Sequence, residues 1–403
     1  MLDGLPSSAS SWARTIGVLV LLRWIGGRVL HALFGKSSRF PQTLGDWLAR
    51  ATVQKLSQHK GFDGRLAGFA VTHVSARRGA EGASVCGTVP LHAGLMSRRG
   101  AVDGGAIAFL ADSLTTVALM AQGALPGVSA ALSYELMLDA VAATVAEEGV
   151  VLEVEARVLK AGRNLGFTEL RVWAAAAAAA AAGEGEGEGE RRLLAIASHT
   201  KYLGGAPLPL AWAFALANLA PGAVLALGSR LVPTTTGAPV AKARAADGHT
   251  DGRRLGAEMG ALLRRQQPDS SAGAGVSGAG ACVVTISKEL TNLYGAAHGA
   301  ALAALMAQSA ELEVQRAHPA RSSDGRGSST ATTLCVRSSA VDYLSPVPAK
   351  KDAEIVARLV NSAAEQAAGT FVAMVEVRSA GDAPAAKRPV LTRAKIVLQA
   401  QSE

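Results

Sequence analysis

Asn292-Leu293-Tyr294-Gly295-Ala296-Ala297-His298-Gly299-Ala300 and Ser97-Arg98-Arg99-Gly100-Ala101-Val102-Asp103-Gly104-Gly105 are two versions of one phrase in a single chain. Each has glycine at its fourth and eighth positions, and each is followed by apolar residues at helical spacing. After the first-half phrase these are Ile107, Leu110, Ala111, Leu114, Val117, Ala118 and Ala121; after the other, Leu302, Leu305, Met306 and Leu312. Recurrence at three and four residues predicts a helix with a buried face. Around the first helix, Leu66–Val74, Ala83–Val89, Val150–Leu159, Phe167–Val172 and Leu193–Tyr202 read as strands. Around the second, Ala281–Ser287, Thr332–Val341, Ala353–Asn361, Phe371–Arg378 and Val390–Gln399 do so. Leu44–Gln58 adds a helix ahead of the first set. One long helix among antiparallel strands is an α+β pattern, and the chain carries it twice.

Composition agrees. The chain has 403 residues, 49% of them hydrophobic, 18% charged and only 4% aromatic. At roughly 100–200 residues per domain this suits at least two units. The core must be filled by Ala, Val and Leu, and a highly charged disordered chain is excluded. The three cysteines, Cys86, Cys282 and Cys335, are far apart and too few for a zinc site. No metal and no cofactor is therefore expected, and a reducing compartment is the simplest reading. The formal net charge of +8 favours an anionic partner. No basic–aromatic cluster of the single-strand-binding kind occurs, so a small phosphorylated ligand is expected rather than nucleic acid. The charge also admits association with a membrane surface.

Boundaries follow from composition. Residues 4–45 contain no acid but carry Arg14, Arg23, Arg28, Lys36 and Arg39. Their apolar run, Ile16–Leu22, is too short for a bilayer, which needs about 20 residues. Residues 1–43 thus read as a mitochondrial targeting or flexible segment, with an uncleaved surface helix as the alternative. Residues 44–204 form the first domain and 281–403 the second. Residues 205–280, rich in Gly, Ala, Pro and Ser, read as a linker with helical stretches. Within it Leu208–Leu227, broken by Asn218 and Pro221, admits a membrane span but reads better as docked helix. Ala174–Ala182 and the Gly-Glu repeat Gly183–Glu190 read as an expanded hairpin loop.

The second phrase, with Pro126-Gly127-Val128-Ser129, Val158–Thr168 and His199-Thr200-Lys201-Tyr202-Leu203-Gly204, resembles the acyl-CoA thioesterases of the hotdog superfamily. It is most similar to the small phenylacetate-pathway type, whose pattern is N-x-x-G-x-x-H-G-G-x(6)-D. The resemblance covers about residues 60–204 and, more weakly, 281–400. It implies two hotdog domains packed as a pseudo-dimer that hydrolyses acyl-CoA, with two such units pairing as a homo-oligomer.

Neither copy of the pattern is complete. The first keeps Asp112 and Ser129 but has Ser97 for Asn and Asp103 for His. The second keeps Asn292, Gly295, His298 and Gly299 but has Ala307 for Asp and Val336 for Ser. In the family the site spans an interface, so the resemblance implies one composite site. Gly299 N–H and Asn292 would hold the thioester carbonyl, Asp112 would activate water, and Ser129 would place it. The residue types suit the task, because a helix N-terminus offers unpaired N–H groups and glycine lets a carbonyl approach them. His298 is expected to position the loop, and Asp103 to cap its helix. Lys160, Arg163 and Lys201 read as solvated positions, each also a candidate for the phosphates of coenzyme A, with Lys160 and Arg163 taken as the substrate-binding pair. The rival readings are a catalytically inactive hotdog scaffold or subunit of an organellar complex, and a hydratase, for which His298 lacks an acidic partner at position 307.

Overall fold

The computed structural model describes residues 42–59, 61–75, 82–124, 127–144, 150–175, 191–203, 254–265, 281–292, 296–318, 333–380 and 388–401. The segment before Gln42, Leu208–Leu227, the Gly-Glu repeat and Gly295 lie outside the described residues. The first half contains helices α1 (Gln42–Ser57), α2 (Gly104–Ala121) and α3 (Leu138–Ala143). Its strands are β1 (Ala70–Ser75), β2 (Ser84–Pro90), β3 (Val128–Leu136), β4 (Val151–Ala161), β5 (Leu165–Ala175) and β6 (Arg192–Tyr202). The second half contains α4 (Leu255–Arg265), β7 (Ala281–Thr285), α5 (Gly299–Ala317), β8 (Thr333–Tyr343), β9 (Asp352–Leu359), α6 (Ala363–Ala367), β10 (Thr370–Ser379) and β11 (Val390–Gln401).

The architecture is α+β. All strands join one 11-stranded sheet in the order β1-β2-β4-β5-β6-β3-β8-β11-β10-β9-β7. The run β2-β4-β5-β6-β3 is answered by β7-β9-β10-β11-β8, so the two halves share one strand order and meet at β3–β8. That seam pairs Ala131 with Asp342 through Glu135 with Ser338, antiparallel. The pseudo-equivalence extends to a shared irregularity. The β3–β6 register shifts between Ser129 and Ala131, and the β8–β11 register shifts beside Val336.

Helix α2 is apolar on nearly every side because it is nearly encased: Ile107, Phe109, Leu110, Leu114, Val117 and Leu119 are fully buried. It is long and apolar enough to cross a membrane, yet 94% of it is buried, which marks a core helix. Asp103 caps its start, accepting from Gly105 N–H at 2.7 Å. Gly123, at φ +88, ends it in a double turn in which Gly123 and Ala124 return N–H bonds to Met120 and Leu119. Gly105 sets the distance to α5. A Cβ there would fall 2.6 Å from the Ala304 Cβ, so the two long helices touch through the smallest available side chains.

One strand expectation needs correction, and the structure adds detail at two further places. The strand expected at Leu66–Val74 begins only at Ala70, because Phe62–Leu66 forms a 3-10 turn and Gly68 turns at φ +84. Strand β3 is expected only at its entry, Pro126–Ser129, and helix α3 not at all; in the structure Leu132, Tyr134 and Leu136 form the buried face of β3, with Ser133 and Glu135 outside. Helix α4 lies inside the stretch expected to be a linker with helical stretches, and its Leu255, Met259 and Leu263 are fully buried. It packs mainly on α5 and β7 and reaches the first half at Arg65 and Arg98.

Gly105→Ala should lower unfolding stability by about 1–3 kcal/mol, the cost of overpacking. Gly162→Ala, where the nearest neighbouring atom is a carbonyl oxygen 3.4 Å away, should cost little. Urea denaturation of both variants checks this.

Candidate active site

Asp112 sits on the third turn of α2, beyond the N-terminal glycines, facing the seam rather than its own half's outer strands. Strand β3 brings Ser129 beneath it: the Ser129 hydroxyl donates to Asp112 Oδ1 at 2.8 Å. Strand β6 brings Lys201, whose Nζ donates to the same oxygen at 2.8 Å and lies 3.4 Å from Ser129 Oγ. The other oxygen faces the second half. A Cβ on Gly299 would fall 3.0 Å from Asp112 Oδ2, and His298 Nδ1 lies 3.3 Å from it. The structure thus brings a carboxylate of the first half against the helix N-terminus of the second.

His298 caps α5. Its Nδ1 accepts from Ala300 N–H at 3.2 Å, so Nε2 carries the proton and donates to Asp63 Oδ1 at 3.0 Å. Asp63 comes from the 3-10 turn of the first half and is itself 3.7 Å from His59 Nδ1. Burial opposes protonation of His298, but Asp63 and then Asp112 outweigh it and raise its pKa above the ordinary value. Asp112 shows the same contest in the other sense. Burial disfavours its charge, yet Lys201, His298 and His199 together hold it well below the usual carboxylate range. His199, on β6, is pushed down to about 3 by burial and then by Lys201. The Thr115 hydroxyl donates to the Ala111 carbonyl, so at 2.8 Å from His199 Nδ1 it accepts from that ring nitrogen. His199 is therefore neutral and held by its far side, with Nε2 3.6 Å from Asp112.

A cavity of about 550 Å³ opens beside this cluster, within the usual range for a small-molecule site. Asp112, Ser129, Lys201, Asn292, His298 and Gly299 all line it. Its apolar wall comes from Leu56 on α1, Met120 at the end of α2, Leu302 on α5 and Val347. Gly299 is the first residue of α5, so its N–H has no partner within the helix. Asn292 Oδ1 accepts from Ala296 N–H at 3.3 Å, which orients the amide across the loop. Tyr343, at the end of β8, donates to the Gly299 carbonyl at 2.9 Å and steadies the same turn.

Two expected binding residues lie apart. Lys160 and Arg163 are exposed in the β4–β5 hairpin and do not line the cavity. Arg163 does stand two residues before Leu165, which lines it. Lys201 is the clear correction: read as solvated, it is 4% exposed and engaged with Asp112. Sequence reasoning missed it because alternation along β6 was not followed, although Ala195, Ala197, His199 and Lys201 share the inward face. It missed Asp63 as well, since only tertiary structure carries that turn to His298.

The corresponding place in the other half is built differently. Asp103 occupies the cap position, and burial raises its pKa. Arg98 donates to Gln308 at 3.2 Å, and Gln308 to Glu311 at 3.0 Å. Burial, then Asp103, push Glu311 up to about 8. Helix α4 lies beside this cluster: Gly260 packs against the Arg98 guanidinium, which a Cβ there would displace, and Arg65 donates to Glu258 at 2.6 Å. Among the described residues no group of acidic, His or Cys side chains could hold a metal ion.

No family model matches the sequence, and no curated protein matches it. The chain is similar to solved structures of thioesterases. Zebra fish thioesterase superfamily member 2 is 27% identical over 38% of this chain and 93% of its own, at a TM-score of 0.28. An acyl-ACP thioesterase from Bacteroides thetaiotaomicron is 10% identical, covering 78% of this chain and 98% of its own, at a TM-score of 0.40. The tesB protein of Mycobacterium avium subs paratuberculosis is 10% identical over 85% and 99%, at a TM-score of 0.40.

The His298 shift carries a sign. A raised imidazole pKa contributes stability below about pH 6.5, its unfolded value, and that contribution is lost as pH rises through the folded value. In Asp63→Asn the His298 ring should therefore titrate at lower pH than in the wild type. NMR of the His298 Cε1 proton reads this directly.

Proposed function

We propose that this chain is an acyl-CoA thioesterase working through one composite site, with its two hotdog halves packed as an intramolecular pseudo-dimer. The observation that carries the reading is the meeting of the Asp112 carboxylate with the Gly299 end of α5 at the wall of one cavity. The shared strand order of the halves supports a duplicated design.

The reaction consumes one water. Its oxygen bonds to the thioester carbon, the C–S bond breaks, the thiol leaves with a proton, and the acid ionises. As water attacks, the carbonyl oxygen gains negative charge. Gly299 N–H and the Asn292 amide are the donors for that oxygen, and the α5 dipole favours the same charge. Asp112 Oδ2 and Ser129 hold the water. Because Asp112 stays ionised well into the acid range, its main contributions are orientation of the water and stabilisation of the positive charge growing on it. The apolar wall suits an acyl chain. Lys160 and Arg163, outside the cavity on the hairpin that runs into Leu165, suit the phosphates of coenzyme A, and two chains pairing would give the expected homo-oligomer. The acid-free N-terminal segment supports a mitochondrial address.

At the second position Ala307 leaves no carboxylate, Asp103 places an anion where an oxyanion would have to sit, and α4 packs against Arg98. One working site per chain follows. Asp112→Asn should abolish hydrolysis, and Asn292→Ala should slow it about 100- to 1000-fold, the usual loss for one oxyanion donor. Asp103→Ala and Ala307→Asp should change it little. Release of free thiol from butyryl-, decanoyl-, palmitoyl- and phenylacetyl-CoA measures all four. Binding of these esters without turnover in the wild type would favour the inactive scaffold instead.

A further inference from the structure

We infer that Lys201 is a positioning residue of the proposed site, holding one oxygen of Asp112 and the Ser129 hydroxyl so that the other oxygen is left to the water. The inference rests on the thioesterase reading and deepens it. Two observations carry it.

The first is geometry. Asp112 Oδ1 is saturated, with Lys201 Nζ and Ser129 Oγ each at 2.8 Å. Oδ2 is turned toward Gly299 and the cavity. A lysine side chain is long and rich in rotamers, and burying it is costly without a partner. Here it is 4% exposed and fastened at its tip, so it fixes the rotamer of the carboxylate rather than trailing in solvent. The other groups facing Asp112 cannot do this. His199 on β6 is held from its far side by Thr115, His298 on the α5 cap is committed to Ala300 N–H and Asp63, and Tyr343 on β8 donates to the Gly299 carbonyl.

The second is the comparison within the chain. On β6, Lys201 pairs with Ser129 and His199 with Leu132; on β11, Leu398 pairs with Val336 and Ile396 with Ser339. Lys201 therefore corresponds to Leu398 and His199 to Ile396. The helix phrase sets Asp112 against Ala307 and Thr115 against Ala310. Thr168, which donates to the His199 carbonyl at 2.8 Å, corresponds to Ala373, the β10 partner of Ile396. Where the carboxylate is gone, the lysine, the serine, the histidine and both threonines are gone with it, each replaced by an aliphatic residue. A lysine held by contacts other than the carboxylate would have no reason to leave with it. One serving the carboxylate would become an unpaired buried charge and be lost.

The test is the pH dependence of decanoyl-CoA hydrolysis by the full chain. In Lys201→Met, kcat should fall at least tenfold with KM little changed, and the acid limb of kcat should move up by about one to three pH units, the effect of removing an adjacent opposite charge. Lys201→Arg should restore the limb and most of kcat. An unchanged limb in Lys201→Met, with or without loss of activity, would overturn the inference. If that variant does not fold, Lys201→Gln carries the same readouts; failure of both to fold would assign the lysine to structure alone and equally overturn it. An inactive wild type removes the thioesterase reading itself, whereas an active wild type with an indifferent Lys201→Met removes only this step.

Discussion

A carboxylate buried at the seam between two halves has to be neutralised, and the arrangement around it follows from that requirement. Asp112 lies in the one region where α2, α5, β3 and β6 converge, with little water to solvate its charge. Removing either partner of such a buried pair typically costs about 3–5 kcal/mol, so Lys201 and Asp112 depend on each other. The pair leaves the site electrically balanced on one side. On the other side the α5 N-terminus, His298 and Asp63 impose a second balance, which ties the first half's 3-10 turn to the second half's helix.

The halves have diverged in complementary directions. One has kept the carboxylate and its polar attendants; the other has kept the asparagine, the histidine cap and the glycine. Under the proposed composite site this division is economical, because each pocket at the seam would draw its two kinds of group from opposite halves, and losing the carboxylate set from one half and the donor set from the other would spoil a single pocket twice. In the other half Arg98, Gln308 and Glu311 are joined by hydrogen bonds, and Gly260 of α4 packs against Arg98.

Much of this was legible beforehand because it rests on local rules. The glycine phrases announced two helix starts, the three- and four-residue spacing announced two buried helices, and alternation announced most strands. The complementary motif losses pointed to Asp112, Ser129, Asn292 and Gly299 as one group, and the structure brings those residues to one cavity. Other features depended on register. The pairing of Lys201 with Ser129 is set by a bulge in β3, and no spacing along the chain betrays it. The short helix α3 and the docking of α4 depend on surfaces supplied by distant segments.

The amino-acid order by itself indicated the α+β class, the recurrence of the helix-opening phrase and the cap at Asp103, because caps, periodicity and glycine freedom act within a few residues. Tertiary structure alone decided that Asp112 meets Gly299, that a lysine read as solvated is buried as its counter-ion, and that Asp63 reaches His298. Those contacts join residues far apart in the chain, and they are enforced by the β3–β8 seam and the close Gly105–Ala304 helix crossing rather than by any local preference.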